Sequence, residues 1–309
     1  MQLIRGFQNI QPLPQGCVAT IGNFDGIHLG HQDILTQVRE KASALNLPAC
    51  VVLFEPQPRE FFTGDKAPAR VYTLRDKLEV LAAEGVDTVL CLPFNEAFRS
   101  LTADEFIQKV LVDILAVRHL VVGDDFRFGC DRAGNFARLE TAGQTCGFTV
   151  DHTRTVMQEN ERVSSTRIRQ ALGTGDFAGV NTLLGRTWLI SGKVCHGQRL
   201  GRSMGVPTAN IVLKRKSLPV RGVFAVRVHG LDQVYNGVAN VGTRPTVAGQ
   251  GARLEVHLLD YQGDLYGRRI QVEFLHKIRD EQSFPSIADL KAAIANDIVR
   301  ARALLTANS

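Results

Sequence analysis

Short apolar runs alternate with amphipathic stretches through the first half of the chain, and the alternation changes character near residue 186. Residues 17–21, 50–54, 88–92 and 119–122 are nearly continuous apolar segments. Runs of that length belong to strands covered on both faces, as in a parallel sheet. Between them, residues 32–45, 74–84 and 102–117 repeat their apolar positions at the helical period. The order predicts an α/β domain with a doubly wound parallel sheet, whose ligands bind at the carboxyl ends of its strands.

Beyond residue 186, segments 188–194, 223–228, 234–241, 253–259 and 270–274 are rich in β-branched residues and separated by Gly, Asn, Asp or Pro clusters. That spacing predicts a small antiparallel β-barrel. A closing helix over 286–306 follows Pro285 and takes Ser286 as its cap. The boundary is expected at Gly185, giving domains of residues 1–185 and 186–309.

A chain of 309 residues holds two domains of ordinary size, each with its own core. With 44% hydrophobic and 22% charged residues, the composition excludes a disordered or fibrous protein. No apolar stretch approaches 18 residues and no basic segment leads into an apolar one at the start, so the expected location is the cytoplasm, with no membrane contact. Cys17, Cys50, Cys91, Cys130, Cys146 and Cys195 are scattered without a Cys-x-x-Cys pair, which reads as reduced core thiols rather than a metal site.

Charge divides unevenly. Residues 1–185 carry −4 and residues 186–309 carry +9, which together give the chain's +5. A positive field suits nucleic acid or a triphosphate pocket alike. The run Lys214-Arg215-Lys216 is too short, and too poor in interleaved aromatics, for an open nucleic-acid face. No nucleic-acid partner is expected, and nothing in the sequence assigns an oligomeric state.

The first chemical candidate is Gly22-Asn23-Phe24-Asp25-Gly26-Ile27-His28-Leu29-Gly30-His31. It leaves an apolar strand and enters a helix, expected to open at His31, so backbone N–H groups and a positive helix end meet at a strand's carboxyl edge. His28 and His31 flank Gly30, which leaves room for a phosphate, and both imidazoles can donate to phosphoryl oxygens as charge develops. The arrangement suits attack on the α-phosphate of ATP. Read alone, it fits equally two surface histidines at a helix start.

Downstream, Phe54-Glu55-Pro56-Gln57-Pro58-Arg59-Glu60-Phe61-Phe62 leaves a buried strand as a Pro-stiffened aromatic loop. Phe54 and Phe62 form either a flat wall for an aromatic ring system or part of the core.

The second candidate is Gly201-x-x-x-Gly205-x-Pro207-Thr208-x-Asn210, which lacks the Gly-Lys-Ser/Thr of a Walker loop. Gly201 and Gly205 can wrap phosphates, Pro207 fixes the turn, and Thr208 and Asn210 supply two hard oxygen ligands for Mg²⁺. A flexible hairpin loop with a capping Thr is the alternative. Glu255 stands in an apolar run, where a core-facing carboxylate is costly without a partner or a task; otherwise it is a Glu on the solvent face of an alternating strand.

Residues 22–31, Val122-Gly123-Asp124-Asp125-Phe126-Arg127-Phe128-Gly129 and Ser164-Ser165-Thr166-Arg167-Ile168-Arg169 together resemble the nucleotidyltransferase superfamily. The segments at 201–210, 222–226, 237–246, 254–260 and 278–284 resemble riboflavin kinases, in the same order. The whole chain thus resembles the bacterial bifunctional riboflavin kinase and FMN adenylyltransferase family, also called FAD synthetases. The resemblance implies riboflavin, FMN, FAD and ATP as partners, with Mg²⁺.

It also implies site residues. Gly22, Phe24, Asp25, Gly30, Ser165, Thr166 and Arg169 bind ATP for adenylylation, with Ser165, Thr166 and Arg169 on its β and γ phosphates. The hydroxyls at 165–166 read locally as a helix cap as well. Phe54, Phe62, Asp125 and Phe126 face the flavin of that step. In the kinase, Gly201, Gly205 and Pro207 hold phosphate, Arg279 and Phe284 lie on the flavin side, and Glu255 is the general base. Gln57 departs from the family's usual Pro-His-Pro, so no histidine role carries over there.

Overall fold

The computed structural model describes residues 1–7, 13, 15–197, 205–213, 217–246 and 249–306, without the side chains of 243–250. Two compact units result, one of residues 1–68 and 74–164, the other of residues 69–73 and 165–309.

The first unit is built on six parallel strands, β1 (Gln2–Arg5), β2 (Cys17–Ile21), β3 (Ala49–Glu55), β4 (Thr88–Pro93), β5 (Val117–Val122) and β6 (Thr149–His152), ordered β1-β4-β3-β2-β5-β6. All five residues of β2 are buried because both faces are covered. Cys17, Ala19 and Ile21 pack toward Val52, Leu92 and Leu111, while Val18 packs toward Val38, Ala42 and Val121. The chain turns one way to β3 and β4 and the other way to β5, so the sheet order reverses beside β2. That is the crevice where open α/β sheets bind ligands, and the turns after β2 and β5 carry residues 22–28 and 123–128.

Around the sheet run α1 (Leu29–Leu45), α2 (Pro58–Thr63), α3 (Leu74–Ala83), α4 (Glu96–Arg99), α5 (Ala103–Phe106) and α6 (Phe136–Cys146). Two expectations are corrected. Helix α1 opens at Leu29, not His31, because His28 caps it. The helix expected over 102–117 is α-helical only through α5 and continues as a π-helix over Ile107–Ile114. Strands β1 and β6 were absent from the sequence reading because they are short, half-exposed edges without an apolar run, Gln-Leu-Ile-Arg and Thr-Val-Asp-His. A small hairpin, β7 (Met157–Gln158) with β8 (Glu161–Arg162), was also not foreseen.

The second unit begins with α7 (Ser165–Thr174) and α8 (Phe177–Leu184) and continues into a closed antiparallel barrel ordered β10-β13-β12-β11-β14-β9. Its strands are β9 (Leu189–Cys195), β10 (Ala209–Val212), β11 (Gly222–His229), β12 (Tyr235–Thr246), β13 (Gly249–Leu258) and β14 (Arg269–Arg279). Phe177 of α8 stacks on Trp188 at 6.3 Å and meets Phe224 and Phe274 at 5.7 Å each. The indole Nε1 of Trp188 donates to the Val71 carbonyl at 3.3 Å, tying residues 69–73 to this unit.

A last helix, α9 (Ile287–Thr306), lays Ala301 and Leu305 on Val223, Ala225 and Ile278. Strand β11 is therefore buried on both faces, with Phe224, Val226 and Val228 at 1%, 0% and 0% exposure on the other side. Ser286 caps α9 as expected, its Oγ accepting from the Asp289 amide at 3.1 Å. Gly185 is the left-handed cap of α8, and the compact units divide earlier, between Ser164 and Ser165.

Candidate active sites

In the first unit, a strand end, a tight turn and a helix start are consecutive in the chain. Gly26 has φ +89°, and Phe24 and Ile27 have φ +46° and +44°, a left-handed conformation that bulky residues rarely adopt. Phe24 and Ile27 keep it because their side chains, 1% and 0% exposed, anchor in the core with Leu35, Leu53 and Leu81. Asp25 is buried as well.

His28 is 7% exposed and its Nδ1 accepts from the His31 amide at 3.3 Å. The neutral ring therefore carries its proton on Nε2, as a donor. The rings of His28 and His31 stack with centroids 3.7 Å apart, and Phe24 lies 4.8 Å from His31. A Cβ at Gly30 would stand 3.2 Å from the His28 ring, so this glycine makes room first for the imidazole itself.

Beside the carboxyl ends of β3 and β4 lies an aromatic cluster. Phe54 meets Phe94 at 5.9 Å and Phe98 at 5.3 Å, and Phe94 meets Phe61 at 5.4 Å and Phe62 at 5.7 Å. Phe62 is 60% exposed. Phe54 is thus half core, whereas Phe62 offers an open ring. Gln57 opens α2 from a buried position, 7% exposed, with no hydrogen-bond partner for its Nε2. After β5, Asp125 is exposed and Phe126 stacks on Phe128 at 5.5 Å.

In the second unit, a cavity of 570 Å³ opens between the outer face of the barrel and α9. Thr208, Glu255, Arg279, Phe284 and Asp297 are among its lining residues. Glu255 alternates with buried Leu254 and Val256, so it faces out of the barrel, and the expectation of a core-facing carboxylate is corrected. Its side chain is 17% exposed and pairs with Arg253, two residues away on the same face.

Barrel register puts Asn210 of β10 and Asn240 of β12 directly opposite Glu255, one on each side. The short strand β10 was not foreseen; it makes Asn210 a strand residue rather than a loop residue. The Asn210 amide packs over Gly197, where a Cβ would come within 2.3 Å of it. His257 Nδ1 lies 2.8 Å from the Pro207 carbonyl and donates to it, which pins Thr208 beside β13.

Arg279 forks onto Asp297 of α9, at 2.9 Å from Nε and 2.8 Å from Nη2, and its guanidinium lies 5.4 Å from the Phe284 ring centroid. Gly205 has φ +80°, so the turn before Pro207 requires a glycine there. Gly201 lies outside the described residues.

Ser165 and Thr166 are the first two residues of α7, so the cap position falls to Ser164. Arg169 Nε donates to the Ala69 carbonyl at 2.7 Å. The sequence reading missed His257, Asn240 and Asp297; the first two stood inside quoted motifs, while Asp297 carried no local signal. All six cysteines are free, with Cys17, Cys50 and Cys91 buried and the others half-buried. The Cys50 thiol is pushed up by its contact with Cys17 and by burial. Among the described residues, no cluster of three or more His, Cys, Asp or Glu could hold a metal.

Comparison with known proteins also divides the chain into two parts. The family model for FAD synthetase matches residues 10–167 and that for riboflavin kinase matches residues 184–305. The chain is 56% identical to the bifunctional riboflavin kinase/FMN adenylyltransferase of Pseudomonas fluorescens, over 98% of both chains. It is 53% identical to that of Escherichia coli K12, over 98% of this chain and 97% of the other.

A solved structure described as a macrolide-efflux protein of Streptococcus pneumoniae is 32% identical with a TM-score of 0.80, over 98% and 99% of the two chains. No described helix of the present chain is long and apolar enough to cross a membrane. With both family models matched in order and identity above one half across its length, the chain belongs to the bifunctional riboflavin kinase/FMN adenylyltransferase family.

Proposed function

We infer that the two reactions of this flavin-cofactor enzyme divide between residues 186–309 and residues 1–185, with the product of the first serving as substrate of the second. In the kinase step the ribityl 5′-hydroxyl attacks the γ-phosphorus of ATP. An O–P bond forms, the bond to the β-phosphate oxygen breaks, ADP leaves and Glu255 accepts the hydroxyl proton. The observation that carries this reading is that Glu255 and Thr208 line one cavity with Arg279 and Phe284. Arg279, held by Asp297, and Phe284 offer the flavin a charged edge and an aromatic face.

Mg²⁺ characteristically takes one or two protein oxygens and draws the rest from phosphates and water. The hydroxyl of Thr208 and the amide oxygen of Asn210 fit that donor set; the ion would neutralise charge on the transferring phosphate. Gly205 and Pro207 shape the same turn against the phosphates, and the family resemblance adds Gly201.

In the adenylylation step a phosphate oxygen of FMN attacks the α-phosphorus of ATP and pyrophosphate leaves. His28 and His31 donate to the oxygens that gain charge, while the turn from Gly22 through Phe24 and Asp25 to Gly30 presents backbone N–H groups. Ser165, Thr166 and Arg169 are assigned to the outer phosphates by the Ser-Ser-Thr-x-x-Arg match. Phe54, Phe62, Asp125 and Phe126 are assigned to the isoalloxazine. The reaction needs no covalent enzyme intermediate, since the flavin's own oxygen is the nucleophile in each step. The reading places the enzyme in the cytoplasm.

A flavin time course tests it. The intact chain with riboflavin, ATP and Mg²⁺ should yield FMN before FAD, and Thr208→Val should raise the Mg²⁺ needed for half-maximal FMN formation. Unchanged FMN formation in excess chelator removes the metal from this reading.

A further inference from the structure

We propose that Lys77 is a positioning residue for adenylylation, holding the phosphate-facing turn after β2 in its active form from beneath. The proposal rests on the reading of residues 22–31 as an ATP site and extends it to a residue on another helix. Lys77 lies on α3 and is 2% exposed, although lysine is rarely buried unless its ammonium is engaged. Its Nζ donates to the Asn23 carbonyl at 2.5 Å. Asn23 itself is exposed, so the contact reaches the turn through its backbone.

Two physical consequences follow. A trans peptide is planar, with its C=O and N–H on opposite sides. Drawing the Asn23 carbonyl inward to Lys77 therefore sends the Phe24 N–H outward, to the side where an anion would sit. Secondly, Asn23 precedes two bulky residues in left-handed backbone, Phe24 at φ +46° and Ile27 at φ +44°. Such conformations persist only where the surroundings over-determine them.

Part of that constraint comes from the core. Leu74, Leu78 and Leu81 of α3 pack in the same cluster as Phe24 and Ile27. Lys77 adds the polar half, and one helix thus grips the turn by its side chains and by its backbone.

The test uses the intact chain. Lys77→Met keeps the apolar stem and removes the donor. FAD formation from supplied FMN should fall in kcat by about 10²-fold, as misplacement of reacting groups by about 1 Å can do, with KM for FMN changed by less than about threefold. Riboflavin phosphorylation by the same preparation should stay normal. A merely structural Lys77 would reduce the fraction of folded protein without changing the rate per folded molecule.

His31→Ala serves as the control on the site. If His31→Ala slows FAD formation and folded Lys77→Met does not, the proposal fails while the ATP-site reading stands. If neither variant slows it, both fail. Should Lys77→Met lose its cooperative melt, Lys77→Gln keeps a polar head but on a side chain one bond too short for the Asn23 carbonyl: slowed adenylylation in the folded Gln variant supports the proposal, and a normal rate overturns it. Failure of both variants to fold makes Lys77 a core support and overturns it as well.

Discussion

The turn at residues 22–31 and the cavity around Glu255, the two sites proposed for the phosphates of ATP, draw their groups from very different spans of chain. In the first unit, ten consecutive residues supply the glycine turn, the helix cap and both imidazoles. In the second, Thr208, Glu255, Arg279 and Asp297 come from the segment before β10, from β13, from β14 and from α9. A contiguous site has its groups brought together by local chain geometry, although its strained turn still leans on the core packed beneath it. A dispersed one exists only when strand register and helix docking are correct, because a one-residue slip turns every side chain to the other face.

The largest expected effect falls on the dispersed site. Glu255→Gln keeps shape and hydrogen bonding but removes the proton acceptor, so FMN formation should drop by about 10² to 10⁴. FAD formation from supplied FMN should continue unchanged in the same protein. Near-normal phosphorylation would return Glu255 to a surface partner of Arg253.

On the contiguous site, His28→Ala removes a helix cap and a donor together, and FAD formation should fall by roughly 10² to 10³ while FMN accumulates. Because the two rings stack on each other at 3.7 Å, the double variant with His31→Ala should cost less than the sum of the two. Additive losses would show that the histidines act separately.

Asp297→Ala probes helix docking. It leaves the half-buried Arg279 without its carboxylate, which costs about 1 to 3 kcal/mol. The second unit should melt earlier and need more riboflavin for half-maximal phosphorylation, with adenylylation intact. A melt shifted by less than a degree or two, for a loss under about 0.5 kcal/mol, would mean that α9 is held by its apolar face alone.

The smallest effect is a pH dependence in the first unit. Burial pushes the His119 imidazole below its ordinary range, Lys41 adds to the push, and Asp151 at 3.2 Å opposes it. Its Nδ1 lies 2.6 Å from the Thr149 hydroxyl. The unfolded chain therefore takes up this proton more readily than the folded one, and the stability it contributes is complete above about pH 6.5 and is lost as pH falls from there. Melting temperatures between about pH 7 and 5 should decline less steeply in His119→Gln than in the parent chain. Parallel curves would remove His119 from the acid response.

Legibility followed the same division. The apolar runs at 17–21, 50–54, 88–92 and 119–122 needed no partner to be recognised, since strands covered on both faces leave few polar positions. Strands β1, β6 and β10 escaped because they are only four residues each, and β1 and β6 are largely exposed, so the local pattern is weak. For Glu255 the sequence left two orientations open, toward the core or on the outer face of an alternating strand; the alternation turns it outward, and helix α9 makes that outer face a cavity wall.

By itself the sequence determined that the long apolar runs of the first half are strands of a parallel sheet, that a β-barrel follows them, and where the glycine turn after β2 stands. These are local properties of apolar period, backbone freedom and cap chemistry. Only the tertiary structure decided that Asn210, Glu255 and Asn240 stand abreast, that Asp297 holds Arg279 across 18 residues of chain, and that Lys77 reaches Asn23 across 54. Each of those contacts is set by register and packing between elements, and none leaves a mark in the spacing of residues along the chain.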